Sequence, residues 1–365
     1  FPMFIVACYF TYLPWNMNRL NIDESDVSLF LILFGVFFIL SNQISSRILV
    51  PKFGTKIIMC IAIIIIAISN LLLMISPSYF YLLLFAIPTG IGWGSSAPIA
   101  GIHANLIEKH SKKIVVPYYA MGFNLGMFVG GICAGIFMNY QFAPKYVFSI
   151  LIIISFFISL VIYNFALPSN LDFKGKGDKL KVPEKNILLF GLLLFMIFGS
   201  NGIMIDWSTL WLTKDLNSPL YLGGLGLMFF SFGGMLANLF SSQLISYFSE
   251  KVVGCIFVLI GSSLLLVSIM IFNLHFILIC LFFYGFLTAN FVPLVIRQAV
   301  RQSTENLSTT VGNLITMGLC SMFIAPAIIG FIAETYSLTH NMYGLCILIF
   351  FTGIVFLKMF KPIND

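Results

Sequence analysis

The chain alternates long apolar runs with short polar connections, and most runs have the length that crosses a bilayer. A span needs about 20 apolar residues. In lipid each span must close its own backbone hydrogen bonds, so the runs are expected as helices. The pattern predicts twelve, near 1–20, 27–48, 57–75, 79–107, 117–138, 147–166, 187–212, 221–247, 252–272, 275–298, 309–333 and 342–360. The chain opens at Phe1 inside the first run, so its natural start is expected upstream. A first run of full span length argues against a cleaved signal peptide.

Composition supports this reading. Hydrophobic residues make up 60% of the chain, charged residues 9%, and the mean hydropathy is +1.04. So apolar a chain of this size does not bury itself in one water-soluble core. The charge then sets the orientation. Alternate connections carry Arg47, Lys52 and Lys56; Lys109, Lys112 and Lys113; Lys174, Lys176, Lys179, Lys181 and Lys185; and Lys251, Arg297, Arg301, Lys358 and Lys361. Of the 19 basic residues, only Arg19, Lys145 and Lys214 fall on the other set. By the positive-inside rule both termini are expected in the cytoplasm, which requires an even number of spans. The net charge of +6 is thus a topology signal. It does not point to nucleic acid, since no basic-aromatic interleaving accompanies it. All seven cysteines lie within apolar runs at no metal or redox spacing, and read as small buried hydrophobes.

One long polar interruption, residues 167–186, is rich in Lys, Gly and Pro and reads as a solvated linker. It divides the chain into six-helix halves, 1–166 and 187–365. The halves look like repeats. Under a shift of 195 residues Leu49 falls on Leu244, Phe53 on Phe248, Lys56 on Lys251 and Pro98 on Pro293, while Met121-Gly122 falls within one residue of Met317-Gly318. Duplicated six-helix halves around a central site are a transporter architecture. Glycine rows mark close helix contacts: Gly122, Gly126 and Gly130, then Gly90 and Gly94, then Gly223, Gly226, Gly233 and Gly234. They serve packing alone, or surfaces that rock during a cycle.

Several segments resemble the major facilitator superfamily, in particular its YbjJ-like bacterial branch related to sugar permeases such as the fucose permease. Leu49-Val-Pro-Lys-Phe-Gly-Thr-Lys56 is similar to the superfamily's loop signature, with Arg47 and Pro51 where the family has its Gly and Asp. Ile205-Asp-Trp-Ser-Thr-Leu-Trp-Leu212 is the more specific match, joined by Ala289-Asn-Phe-Val-Pro-Leu294 and by Thr316 to Gly330. The resemblance implies an all-α polytopic membrane protein of two pseudo-symmetric six-helix bundles, with spans one, four, seven and ten lining a cavity. It also implies a bacterial cytoplasmic membrane location. This chain departs from the branch at Tyr12, Gly101, His103, Tyr119 and Asn201, where relatives carry other polar groups, so substrate and coupling ion do not carry over.

Asp206 is the one carboxylate placed within the apolar part of a span, and such a group is a functional hypothesis by default. It is a proton carrier, a substrate contact, half of a structural pair whose nearest basic candidate is Arg19, part of an outer gate, or a residue relieved by water at the outer boundary. Trp207 and Trp211 share a face and would stack on a substrate or anchor at the interface. Asn201 and Ser208 share another face and, with Asn290, would form polar walls or hydrogen-bond between helices. His103 is placed deep in the fourth span as a proton relay or a packed core histidine. Tyr12, Trp93 and Asn124 complete the expected wall. Arg47, Lys52, Glu108 and Arg297 are the expected gating charges, with a Glu108 to Arg297 latch or plain solvated faces.

No catalytic motif, cofactor motif or metal-ligand spacing is present, so an enzyme is not expected. The leading function is a secondary transporter, expected as a monomer. It moves a small polar organic solute by alternating access, coupled to protons, with sugars or sugar derivatives favoured. Drug or metabolite efflux, and a non-transporting membrane sensor on the same scaffold, are the alternatives.

Overall fold

The computed structural model describes residues 1–111, 116–167, 185–303 and 307–361. Most of the expected linker, and Lys112 and Lys113, lie outside the described residues. The described residues are helical with no strand. The chain divides into two compact units, Phe1–Asp178 and Lys179–Asp365.

The first unit holds α1 (Pro2–Leu20), α2 (Glu24–Ile44), α3 (Val50–Ile75), α4 (Tyr79–Ser111), α5 (Val116–Asn139) and α6 (Pro144–Phe165). The second holds α7 (Lys185–Leu210), α8 (Leu225–Leu239), α9 (Ser241–Lys251), α10 (Phe257–Ile271), α11 (Leu274–Thr288), α12 (Phe291–Gln302), α13 (Leu307–Thr335) and α14 (Leu338–Met359). Among the described residues ten helical stretches are long and apolar enough to cross a membrane. One of them, Glu24–Ile75, runs to 52 residues and contains two of the expected spans. α1, with 19 residues, is not among the ten.

Three details differ from the sequence pattern. The connection expected between 48 and 57 is helical and not open: a wide π-helical turn, Ser45–Leu49, runs straight into α3, and the reversal falls inside that connection, at Gly54 (φ 81, ψ 162). The expected eighth span is broken at Phe240 (φ −100, ψ 17), between α8 and α9. The expected tenth span is broken at Ala289 and Asn290, between α11 and α12. Pro293 accounts for the last break, because its ring excludes the carbonyl of Ala289, four residues back, and it has no N–H to donate.

Packing follows the same order in both units. α1 packs on α5, α2 on α4, and α3 on α4 and α6; α7 packs on α13, α8 on α11, and α10 on α11 and α14. These are matching pairs under the 195-residue shift. Small residues set the closest approaches. A Cβ on Gly94 of α4 would collide with the Phe38 carbonyl of α2, and one on Gly202 of α7 with the Met322 carbonyl of α13. The Met322 carbonyl has lost its helical donor to Pro326, which leaves it free for this contact. The expected row on α5 is only partly used. A Cβ on Gly126 or Gly130 would meet α1, whereas one on Gly122 would meet nothing within 4 Å.

Outward faces are apolar. Along α2 and the following turn Leu29, Ile32, Val36, Leu40, Ile44 and Ile48 are all exposed at helical spacing. On α6 the buried residues are confined to one stripe through Val147, Phe148, Leu151, Ser155 and Ser159. A helix apolar all round with one buried stripe is built for lipid, not water.

Candidate functional site

α7 carries the densest group of buried polar residues. Asp206 lies near its C-terminal end and is 7% exposed. Among the described residues no hydrogen-bond donor or cation meets its carboxylate. Helical spacing puts Asp206 on the same side as Gly199 and Gly202, the residues that pack against α13. The helix is therefore pressed close to its neighbour where its acid sits.

The residues around Asp206 are tied down. The Trp207 indole is fully buried, and its Nε1 donates to the Pro326 carbonyl of α13 at 2.9 Å. Trp211 Nε1 donates to Thr339 Oγ1 at 3.0 Å, and Thr339 donates through both its backbone N–H and Oγ1 to Asp215 at 2.7 Å. Asp215 thus caps the N-terminus of α14, where an acid is favoured by the helix dipole. Ser200 hydrogen-bonds to Tyr284 of α11. The two tryptophans expected on one substrate-facing wall are engaged with two different helices. Asn201 is partly buried on the opposite side of α7 from Asp206.

Asn290 sits at the break of the tenth span. Its Nδ2 donates to the Ala237 carbonyl at 3.3 Å and its Oδ1 accepts from Ser241 Oγ at 2.6 Å. Ala237 and Ser241 flank the other break, at Phe240. Sequence reasoning singles out Asn290 but not Ser241, because nothing in the local sequence at Phe240 marks a break.

The first unit places its expected residues differently. Tyr12 is 1% exposed, its hydroxyl lacks a partner, and its ring meets Phe148 edge-on at 6.2 Å. Thr11, also buried with an unpartnered hydroxyl, stands where Asp206 stands under the repeat shift. Trp93 is buried in α4 beside Gly92 and Gly94. Asn124 lies partly buried on α5. Arg19 is held by its own unit, donating to the Ser76 carbonyl at 2.6 Å and to Asn16 Oδ1 at 2.7 Å.

His103 is buried as expected, but not at mid-span. Its Nδ1 is 2.8 Å from Thr55 Oγ1, immediately after the Gly54 reversal, so it belongs to the level of the α2–α3 connection. The second unit has a charged counterpart of this contact. Thr55 shifts onto Glu250, which accepts from Arg297 at 2.5 Å and from Arg301 at 2.7 Å. Lys52 stacks on the Phe53 ring at 5.2 Å, and Arg47 lies on the π-helical turn. Glu108 lies near the C-terminal end of α4.

No group of metal-ligating side chains exists among the described residues. The polar groups here are suited to carrying a proton, gripping a neighbouring helix or binding a solute. The family profile described as Major Facilitator Superfamily matches residues 2–321. The chain belongs to the major facilitator superfamily. It is a multi-pass membrane transporter of that superfamily and not an enzyme. An uncharacterised MFS-type transporter of Yersinia pestis is 23% identical over 348 residues, covering 92% of this chain and 86% of that protein. The quinolone resistance protein NorA of Staphylococcus aureus is 24% identical over 255 residues, 65% of this chain and 63% of NorA. Among solved structures, a bacterial homologue of the human lysosomal transporter Spinster is similar with TM-score 0.71 at 13% identity, covering 100% of this chain and 96% of that one. A mutant of the nucleoside transporter NupG is similar with TM-score 0.69 at 12% identity, covering 98% of this chain and 99% of that one. These last two likenesses describe the fold.

Proposed function

We propose that this major facilitator transporter moves a small polar organic solute by alternating access, driven by protons that bind and leave Asp206. The observation that carries the reading is Asp206 itself. An acid 7% exposed in an apolar helix, with no partner among the described residues, does nothing for the packing around it. Buried ionisable groups in spans are costly and are kept for ion or substrate pathways. Asn201, partly buried on the other side of the same helix, is the favoured solute contact. Asn290, Trp207 and His103 serve helix breaks and helix contacts in this reading, and Glu250 with Arg297 braces the cytoplasmic end. The protein works in the bacterial cytoplasmic membrane with both termini inside, as its basic residues direct.

Sugars and sugar derivatives, nucleosides among them, are the favoured solutes. The similarity to NorA supports a second reading, proton-driven efflux of drug-like molecules such as quinolones. Purified protein in proteoliposomes under an imposed pH gradient separates these readings. Labelled sugars, nucleosides and quinolones are offered in turn. Accumulation that collapses with the gradient in the wild type, and exchange without accumulation in Asp206→Asn, is the expected result. Undiminished accumulation in Asp206→Asn removes Asp206 as the carrier.

A further inference from the structure

We propose that Thr209, Ser208 and Ser218 form a hydrated path along the seam between α7 and the Gly223–Gly226 segment, which supplies Asp206 with water from the outer side. The inference rests on Asp206 as the proton carrier and adds the route by which the proton arrives.

Serines and threonines inside helices usually bond back to a carbonyl one turn earlier. This chain follows the rule at Ser155, Ser262, Thr288 and Thr352, at 2.7 to 2.8 Å. Ser208 and Thr209 do not. Both are fully buried and both hydroxyls lack a partner. Ser218 is 7% exposed and its hydroxyl also lacks one. Three such groups within eleven consecutive residues, next to an unpartnered acid, form one cluster.

All three lie on α7 or on the turn that leads from it to the Gly223–Gly226 segment. Ser208 and Leu212 lie one turn apart, and a Cβ on Gly226 would meet both, at 3.3 Å and 2.9 Å. Thr209 and Thr213 turn their methyl groups to Gly223, where a Cβ would lie 2.8 Å from each, so the Thr209 hydroxyl stands beside this contact and not in it. Ser218 is anchored to this seam by its backbone N–H, which donates to the Leu212 carbonyl at 3.0 Å. Asp206 and Thr209 are three residues apart on the helix, so their Cβ atoms lie about 5–6 Å from each other. Beyond Ser218 the connection is open to solvent at Lys214, Asn217 and Tyr221. The nearby acid Asp215 is turned away to Thr339 and does not compete.

Buried hydroxyls are satisfied by protein or by ordered water, and water takes roughly two to four polar partners. The hydroxyls of Thr209, Ser208 and Ser218 supply such partners step by step. A proton entering at Ser218 passes between hydrogen-bonded waters, each accepting one proton and releasing another. The last transfer forms the O–H bond on Asp206.

Two measurements test the path. In intact cells, Thr209→Cys and Ser218→Cys are exposed to a small, membrane-impermeant methanethiosulfonate reagent, with buried Leu210→Cys as control. Thiol reactivity follows exposure, so labelling on the order of tenfold faster than at Leu210→Cys is expected. Labelling no faster than the control overturns the path. The second measurement follows the infrared band of the Asp206 carboxyl group, identified by its loss in Asp206→Asn, after transfer to heavy water. Thr209→Val is expected to slow the isotope shift and Thr209→Ser to restore it, while an unchanged rate in Thr209→Val and Ser208→Ala overturns the path. If no such band is found, the proton-carrier reading fails by itself, and the thiol labelling still decides whether the seam is wet.

Discussion

Ser249 repeats the backbone of Gly54. The two residues are 195 apart and fall on each other under the repeat shift. Gly54 has φ 81 and ψ 162, and Ser249 has φ 69 and ψ 157, each inside an otherwise continuous helical stretch. Each reversal joins the end of one span to the start of the next. A glycine takes this conformation freely, whereas a serine pays for its Cβ there, typically on the order of 1–3 kcal/mol. Ser249→Gly is therefore expected to raise stability by about 1 kcal/mol, and Gly54→Ser to lower it, as read by the melting temperature in detergent. A fall in melting temperature for Ser249→Gly would mean that the serine hydroxyl, not the backbone, decides the site.

Asn290 joins two broken helices, donating to Ala237 and accepting from Ser241 on either side of Phe240. Asn290→Ala removes both contacts and leaves a buried carbonyl and a hydroxyl unpaired. The expected loss is about 1–3 kcal/mol. Ser241→Ala removes one contact and should cost less. The double variant should fall short of the sum of the single losses, since the two groups share one interaction. Strict additivity would sink the assignment.

Much of this architecture is legible in the apolar pattern. Each expected run falls largely on helix, but two are broken, and Pro293, which the pattern offers only as a repeat landmark, lies inside a run expected to be continuous. The break at Phe240 is not legible, because neither Gly nor Pro stands there and its polar support comes from Asn290, 50 residues along the chain. The level of His103 escapes the pattern for a related reason. Hydropathy places a residue within a run, but its level depends on where the neighbouring chain reverses, and the pattern confines that reversal to the connection between 48 and 57 without singling out Gly54. The candidate site is split in the same way. Asp206 is visible as an acid in an apolar run. The engagement of Trp207 and Trp211 with Pro326 and Thr339 depends on contacts more than one hundred residues apart.

The glycines divide into those that set a helix distance and those that do not. Gly94 faces the backbone carbonyl of Phe38, which cannot rotate away, so Gly94→Ala is expected to cost about 1–3 kcal/mol through overpacking. Gly344 in α14 has nothing within 4 Å of its would-be Cβ. There Gly344→Ala should be neutral or stabilising by up to about 1 kcal/mol, since alanine is the better helix former. Thermal unfolding of the two variants side by side checks both, and equal effects would contradict the packing described for α2 and α4.

Asp206 and Asn290 are both buried polar groups in spans, yet their replacement should move stability in opposite directions. Asn290 has partners, so its loss leaves other groups unpaired. Asp206 has none among the described residues, so its burial is a net cost with no local return. Asp206→Asn keeps the shape and removes the ionisable group, and is expected to leave the melting temperature unchanged or to raise it, by an amount on the order of 1 kcal/mol. In the same preparation, gradient-driven accumulation should disappear. That combination, stability kept or gained while activity is lost, is the signature of a residue retained for function at the expense of the fold. A clear fall in melting temperature for Asp206→Asn would instead make Asp206 a structural group, and the proton would have to be carried elsewhere.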